Sequence, residues 1–209
     1  MNRLKTSLGL VLLLLLSCTA GVRAQSDEDD GNDTQRASAE AAKQLTSRDA
    51  LVRQQGAEEL ARLIATDQRR LLEGYRLQEK NARVKLALDW ALYRTGKAQA
   101  LFTIVQALDS SRAAQALSYL SQLETPDPLY IFLEQMNGNM QVKLLEVLGR
   151  IGDSGTLDRL KPLTESFDPK IAEAARLAST EIEQRLGQTP ADTTTRPRQV
   201  GGGEQQSTP

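Results

Sequence analysis

Apolar positions through the middle of the chain recur with a helical period, and the recurrence itself repeats. Aligned on Asp49, Asn81, Asp109, Asn137 and Asp168, the chain shows anchors spaced 32, 28, 28 and 31 residues apart. Three residues after the anchors stand Val52, Val84, Arg112, Met140 and Ile171, and seven after stand Gly56, Leu88, Ala116, Leu144 and Ala175. Eleven after come Leu60, Leu92, Leu120, Leu148 and Ser179, and fourteen after come Leu63, Thr95, Leu123, Ile151 and Ile182. Those offsets lie on one face of a 3.6-residue helix. Each anchor is Asp or Asn, whose side-chain oxygen can accept from the unpaired N–H groups of a helix's first turn. After Asp168 comes Pro169, suited to a first helical position, where a missing N–H costs nothing. The pattern thus predicts five amphipathic helices, here termed B. Small residues at the seventh offset would let a neighbouring helix approach closely.

A second periodic stretch, termed A, fills the gaps between B helices. Ala98, Leu101, Val105 and Leu108 share a face, as do Leu129, Phe132, Leu133 and Met136, and then Leu157, Leu160 and Leu163. Asp127-Pro128 and Asp153 read as start signals, and Gly96 and Gly152 follow B helices where a left-handed cap favours glycine. The first A helix is expected in the Ala-rich run Arg36–Leu45. Pro162 falls inside the last A helix, where a regular interior would be penalised by about 3 kcal/mol, and predicts a kink. A helix pair cannot bury its stripes alone, so pairs are expected to stack. The fold class predicted is all-α, an α-solenoid of about five helix pairs.

The segment Met140-Gln-Val-Lys-Leu-Leu-Glu-Val-Leu-Gly-Arg-Ile-Gly-Asp153, with Leu157 to Leu163 and Asp168-Pro169 after it, resembles the short HEAT-like repeat, a type also found in the phycobilisome lyase family. The resemblance covers roughly residues 35–187 and is most specific in the last two units. The middle unit departs from it, with Arg112 where the repeat has valine and Ala113 where it has arginine. The resemblance implies a superhelix whose B helices line a concave docking surface. It does not carry the lyase activity over, because fold does not transfer function and the start of the chain reads as an export signal, which an intracellular lyase would not carry.

That signal is a basic start, Arg3 and Lys5, followed by the apolar run Leu8–Leu16. The run is too short for the roughly 20 residues a membrane-spanning helix needs and suits the core of a signal peptide. Two cleavage readings stand side by side. Val22-Arg23-Ala24 suits ordinary cleavage before Gln25, giving a signal peptide over 1–24. Leu15-Leu16-Ser17-Cys18 resembles a bacterial lipobox, in which Cys18 would be lipidated and the signal would end before it. Anchorage to the membrane would then be through lipid alone. An acidic disordered linker is expected over 25–34, the repeat domain over 35–187, and a disordered tail over 188–209, rich in Thr, Pro, Gly and Gln. The expected location is outside the cytoplasm: periplasm, cell envelope or secreted.

Composition narrows the chemistry. Removing Arg3, Lys5 and Arg23 leaves 23 basic against 27 acidic side chains, an unsuitable balance for nucleic-acid binding. Cys18 is the only cysteine and there is no histidine, which removes Ser-His-Asp and Cys-His catalysis and the usual zinc sites. No catalytic residue, cofactor or metal is expected. Glu58 with Glu59, and Asp27 to Asp30, are the only acidic clusters, and they read more simply as a solvated face and a linker than as a carboxylate-only hydrolase. Arg62, Arg94 and Arg150 each stand thirteen residues after an anchor, either as a basic row for an acidic partner or as cations favoured near helix C-termini. The candidate contact residue is Trp90, with Leu86 and Tyr93 at helical spacing beside it. Trp90 stands nine residues after its anchor, off the periodic stripe, and Trp and Tyr are favoured at binding hot spots. The plainer reading is that they widen a core contact. The function expected is a non-catalytic scaffold for a protein or peptide, with a structural spacer as the alternative. An exposed Trp90 patch would favour the first and a polar B face the second.

Overall fold

A computed structural model of the chain describes residues 26–188. Among these there are ten α-helices and no strand, so the protein is all-α. The chain divides into two compact units, at Ala107 and Leu108.

The first unit holds α1 (Ser26–Gln44), α2 (Ala50–Arg62), α3 (Arg69–Gln78), α4 (Ala82–Arg94) and α5 (Ala100–Ala107). The B helices α2 and α4 start where the anchors place them. Asp49 Oδ1 accepts from the Leu51 N–H at 2.8 Å, and Asn81 Oδ1 accepts from Arg83 and Val84 at 2.9 and 3.3 Å. Helix α2 packs along α4, with α1 against α2 and both α3 and α5 against α4. Leu60, Leu72, Leu88 and Ile104 are fully buried between them, each stabilising the unit by roughly 1.5–3 kcal/mol. The small residue at the seventh offset of α2 has the expected use. A Cβ on Gly56 would lie 2.7 Å from the Ala41 carbonyl oxygen and 2.8 Å from Gln44 Cβ, so α1 rests directly on the α2 backbone.

Both B helices of this unit end in the same backbone motif. At α2 the Ile64 N–H donates to Ala61 O at 3.2 Å and the Ala65 N–H to Leu60 O at 3.1 Å. At α4 the Gly96 N–H donates to Tyr93 O and the Lys97 N–H to Leu92 O, both at 2.9 Å. This paired arrangement requires a left-handed residue just past the helix. Gly96 supplies φ 100, but at α2 the residue is Ile64, at φ 50. Arg69 also donates to Thr95 O at the end of α4.

One sequence expectation fails in part here. The first A helix begins at Ser26 rather than Arg36, so residues 26–34, expected as a linker, are helical. Acidic residues at a helix N-terminus interact favourably with the macrodipole, so a run that reads as solvated linker can also open a helix. The second A helix, α3, lacks a side-chain cap and follows a short 3-10 turn, Thr66–Gln68, so no start signal marks it.

The second unit holds α6 (Ala113–Leu120), α7 (Asp127–Gln135), α8 (Gly138–Ile151), α9 (Ser154–Leu160) and α10 (Pro169–Gln188). Helix α8 packs along α10, with α7 against α8 and α9 against α10, around Leu129, Leu144, Leu148, Leu160 and Ile182. Gly149 sets the approach. A Cβ there would meet Ala178 Cα at 3.2 Å and overlap the Glu181 carboxylate. Arg185 of α10 donates to the carbonyls of Gly149 and Arg150 at 2.8 and 2.5 Å, and to that of Gly152. One guanidinium thus satisfies orphan carbonyls at the end of α8.

Three anchors sit in this unit and behave differently. Asp168 Oδ1 accepts from the Lys170 N–H at 2.9 Å, as expected. Asn137 occupies the cap position of α8 without a side-chain hydrogen bond. Asp109 caps nothing: α6 begins at Ala113 after Arg112, and the Asp109 carboxylate accepts instead from Asn139 at 2.9 Å and Lys143 at 3.1 Å. The departure at Arg112 and Ala113 thus displaces the helix start. Pro162 does not kink a helix but ends one, since α9 stops at Leu160 and a 3-10 segment runs from Lys161 to Glu165.

Candidate functional site

Positions five, nine and thirteen after an anchor lie on the helix face opposite the periodic apolar stripe. On α4 these are Leu86, Trp90 and Arg94. The structure buries the first two, each 2% exposed, and leaves Tyr93 half-buried. Trp90 and Tyr93 stack at 5.7 Å between ring centroids, and the Arg94 guanidinium lies 5.6 Å from the Trp90 ring. The contact patch expected at Leu86, Trp90 and Tyr93 is therefore not an exposed one: Leu86 and Trp90 are core. Helices α2, α3 and α5 all pack against α4, and the periodicity of one helix does not report how many neighbours surround it.

The same offsets on the last two B helices stay open. On α8 they are Val142, Glu146 and Arg150, and on α10 Glu173, Leu177 and Glu181. With Lys170, Ala174 and Ala178 these line a groove of about 500 Å³. Leu177 is 61% exposed and has Glu146, Arg150, Lys170, Glu173 and Glu181 around it in the groove lining. The groove offers an apolar contact among charges of both signs, with acids in slight excess. Sequence reasoning passed over Leu177, although it shares Trp90's offset of nine and is the one large aliphatic at that offset on the two helices.

The three arginines at offset thirteen do not form a uniform row. Arg62 is held by Glu59 at 2.6 Å, Arg94 lies over Trp90, and Arg150 opens into the groove. The acidic pair does not converge either. Glu58 accepts from Gln54 at 2.9 Å while Glu59 binds Arg62, whose hydrogen bond holds the Glu59 carboxyl below its ordinary range. Asp27 to Asp30 lie outside the residues whose side chains are described, and Cys18 lies outside the described residues altogether. Among the described residues no group of three or more His, Cys, Asp or Glu is placed to hold a metal ion, and no helix is long and apolar enough to cross a membrane.

Two carboxylates of the first unit have environments that the sequence did not announce. Glu79 binds Arg53 through both oxygens, at 2.7 and 3.0 Å, and accepts from the N–H groups of Lys80 and Asn81 at 2.9 and 2.8 Å. The Arg53 guanidinium, with those N–H groups, holds Glu79 down at about 2. Arg53 also donates to Ser47 O and Arg48 O, tying the start of α2 to the start of α4. Asp89 is buried, with Oδ1 accepting from Arg76 at 2.6 Å and Oδ2 unpartnered among the described residues. Burial pushes its carboxyl up against the opposing pull of Arg76.

Compared with known protein families and with curated proteins, the chain matches no family model and no curated sequence. The class defined by the fold is that of an all-α protein with ten helices among its described residues.

Proposed function

We propose that the chain is a non-catalytic scaffold, exported to the cell envelope or exterior, that holds a protein or peptide along the B-helix face of a HEAT-like solenoid. The observation that carries this reading is the α8–α10 groove. Leu177 stands exposed in its lining, among charged side chains that can fix the register of a partner. The solenoid assignment is supported by five alternations of A and B helices along the chain. It is also supported within each unit by packing of one B helix along the next, α2 on α4 and α8 on α10. Export rests on Leu8–Leu16 and its basic start, and attachment to the membrane on Cys18 alone.

Photo-crosslinking in intact cells tests the docking role. A photoreactive residue at position 177 is expected to yield a discrete protein adduct, and one at position 90 none. If positions 177, 146 and 173 all fail to capture a protein, docking in this groove is excluded. A second reading, a structural spacer within an envelope assembly, is favoured by one observation: the burial of Trp90, which leaves the B face of α4 without an exposed aromatic. Lipid labelling of the wild type against Cys18→Ser tests anchorage, and an unlabelled wild type ends the lipoprotein reading.

A further inference from the structure

A second cavity, of about 310 Å³, lies in the first unit between α1 and the turn that follows α2. Its lining includes Gln35, Ser38, Leu63, Ile64, Thr66 and Asp67. Three features distinguish it from a packing defect. Ser38 is 4% exposed, yet its Oγ has no hydrogen-bond partner among the described residues; a buried hydroxyl left in that state is costly unless something else supplies the bond. Ile64 is held at φ 50, a conformation unfavourable for a β-branched residue, and it keeps an aliphatic side chain 45% exposed at the pocket wall. Asp67 is the one charged residue of the lining. Its Oδ2 accepts from Gln68 at 2.7 Å, and its second oxygen adds further acceptor capacity.

We propose that this pocket binds an aliphatic primary amine. The ammonium would donate to Asp67, its remaining donors would reach hydroxyls such as Ser38 and Thr66, and the methylene stem would lie along Leu63 and Ile64. An anion is disfavoured because the lining holds a carboxylate and no cation. The amine has two possible sources, a free diamine or the side chain of a lysine in a bound polypeptide. The site lies in the unit that does not contain the α8–α10 groove, so failure of the docking reading leaves it untouched.

Titration calorimetry on the full chain tests it, with cadaverine as the free amine, an acetylated and amidated lysine peptide as the second arm, and pentanol and pentanoate as neutral and anionic controls. Saturable binding of either amine, with neither control binding, is the expected result. Cadaverine binding assigns a free-amine site, and binding of the peptide alone assigns a lysine site. Asp67→Asn should weaken the interaction about tenfold or more, as loss of a charged partner does. Ser38→Ala should weaken it by a smaller factor while the thermal unfolding curve shows the fold retained. The proposal is overturned if neither amine saturates below about 10 mM, or if Asp67→Asn leaves the affinity unchanged.

Discussion

Helices α2 and α4 of the first unit and α8 and α10 of the second are pairs of B helices packed side by side, read from the same anchors and offsets. Their surfaces differ. At offsets five and nine, α4 carries Leu86 and Trp90, both buried, whereas α8 and α10 carry Val142, Glu146, Glu173 and Leu177 along an open groove. The repeat register therefore fixes which way a side chain leaves its helix, not whether anything stands in front of it. An aromatic residue at the outward offset is not a docking residue when it is covered, and a lone leucine among charges is a better candidate when it is not.

The largest effect expected from this contrast is at Trp90. Trp90→Ala should destabilise the protein by about 3–5 kcal/mol, as truncation of a buried aromatic does, and would also remove its stacking on Tyr93. Leu177→Ala should change stability by no more than about 0.5 kcal/mol, while abolishing the adduct expected from neighbouring photo-crosslinkers. Chemical denaturation of both variants checks the pair. A neutral Trp90→Ala, or a strongly destabilised Leu177→Ala, reverses the assignment of core and groove.

Close approach of helices gives the next test, in the upper part of the range of about 1–3 kcal/mol for overpacking. Gly56→Ala pushes a methyl into the Ala41 carbonyl oxygen and Gln44 Cβ, neither of which can move without α1. Gly149→Ala meets mainly the mobile end of Glu181 and, less severely, Ala178. It should cost less, at the lower end of the same range. Equal losses would mean that α1 yields as easily as a glutamate side chain.

Much of this architecture was legible in the sequence, and the failures have physical reasons. Asp49, Asn81 and Asp168 cap helices because capping is local, decided within three residues. Gly56 and Gly96 were placed by spacing alone, because a repeat puts close approaches and helix ends at fixed offsets. Asp109 was misread because an Asp accepts as readily from Lys143 and Asn139, thirty and more residues away, as from a nearby backbone. The covering of Trp90, the unpaired oxygen of Asp89 and the cavity beside Ser38 all depend on tertiary neighbours, so no local pattern announces them.

Acid exposes a second contrast inside the first unit. Glu79, held near 2 by Arg53, contributes stability that is complete above the ordinary carboxylate range and is lost as pH falls towards 2. The loss is roughly 3 kcal/mol, by linkage over the interval from the ordinary carboxylate value down to about 2. Asp89 works in the opposite sense. Its folded pKa is raised, so its contribution declines as pH rises through the window just above that range. Denaturation midpoints measured across acid pH should show Glu79→Gln less stable near neutrality and flatter in acid. Asp89→Asn should remove the decline on the rising side. Identical profiles for wild type and Glu79→Gln would dissociate the Arg53 pair from stability.

The smallest effect compares two helix ends that differ in one residue. The C-termini of α2 and α4 share both backbone hydrogen bonds of the left-handed cap, with Ile64 at one and Gly96 at the other. A β-branched residue in this conformation costs of order 1–3 kcal/mol, which Ile64→Gly relieves. Two terms oppose the gain: the half of the Ile64 side chain now shielded from water is lost, and glycine adds roughly 0.4–1 kcal/mol of unfolded-state freedom. These terms nearly cancel, and the net expectation is a stabilisation of no more than about 0.5 kcal/mol, seen as a slightly higher denaturation midpoint with an unchanged slope. Gly96→Ala should lose about 1–2 kcal/mol, because it introduces left-handed strain of the kind that Ile64 already bears and sets a Cβ 2.8 Å from Arg69 Nη2. If Ile64→Gly is destabilising, the isoleucine is held in place by packing. If it is stabilising, the strained isoleucine is kept at a cost that the fold does not require, and the pocket it borders is where a reason for keeping it is to be sought.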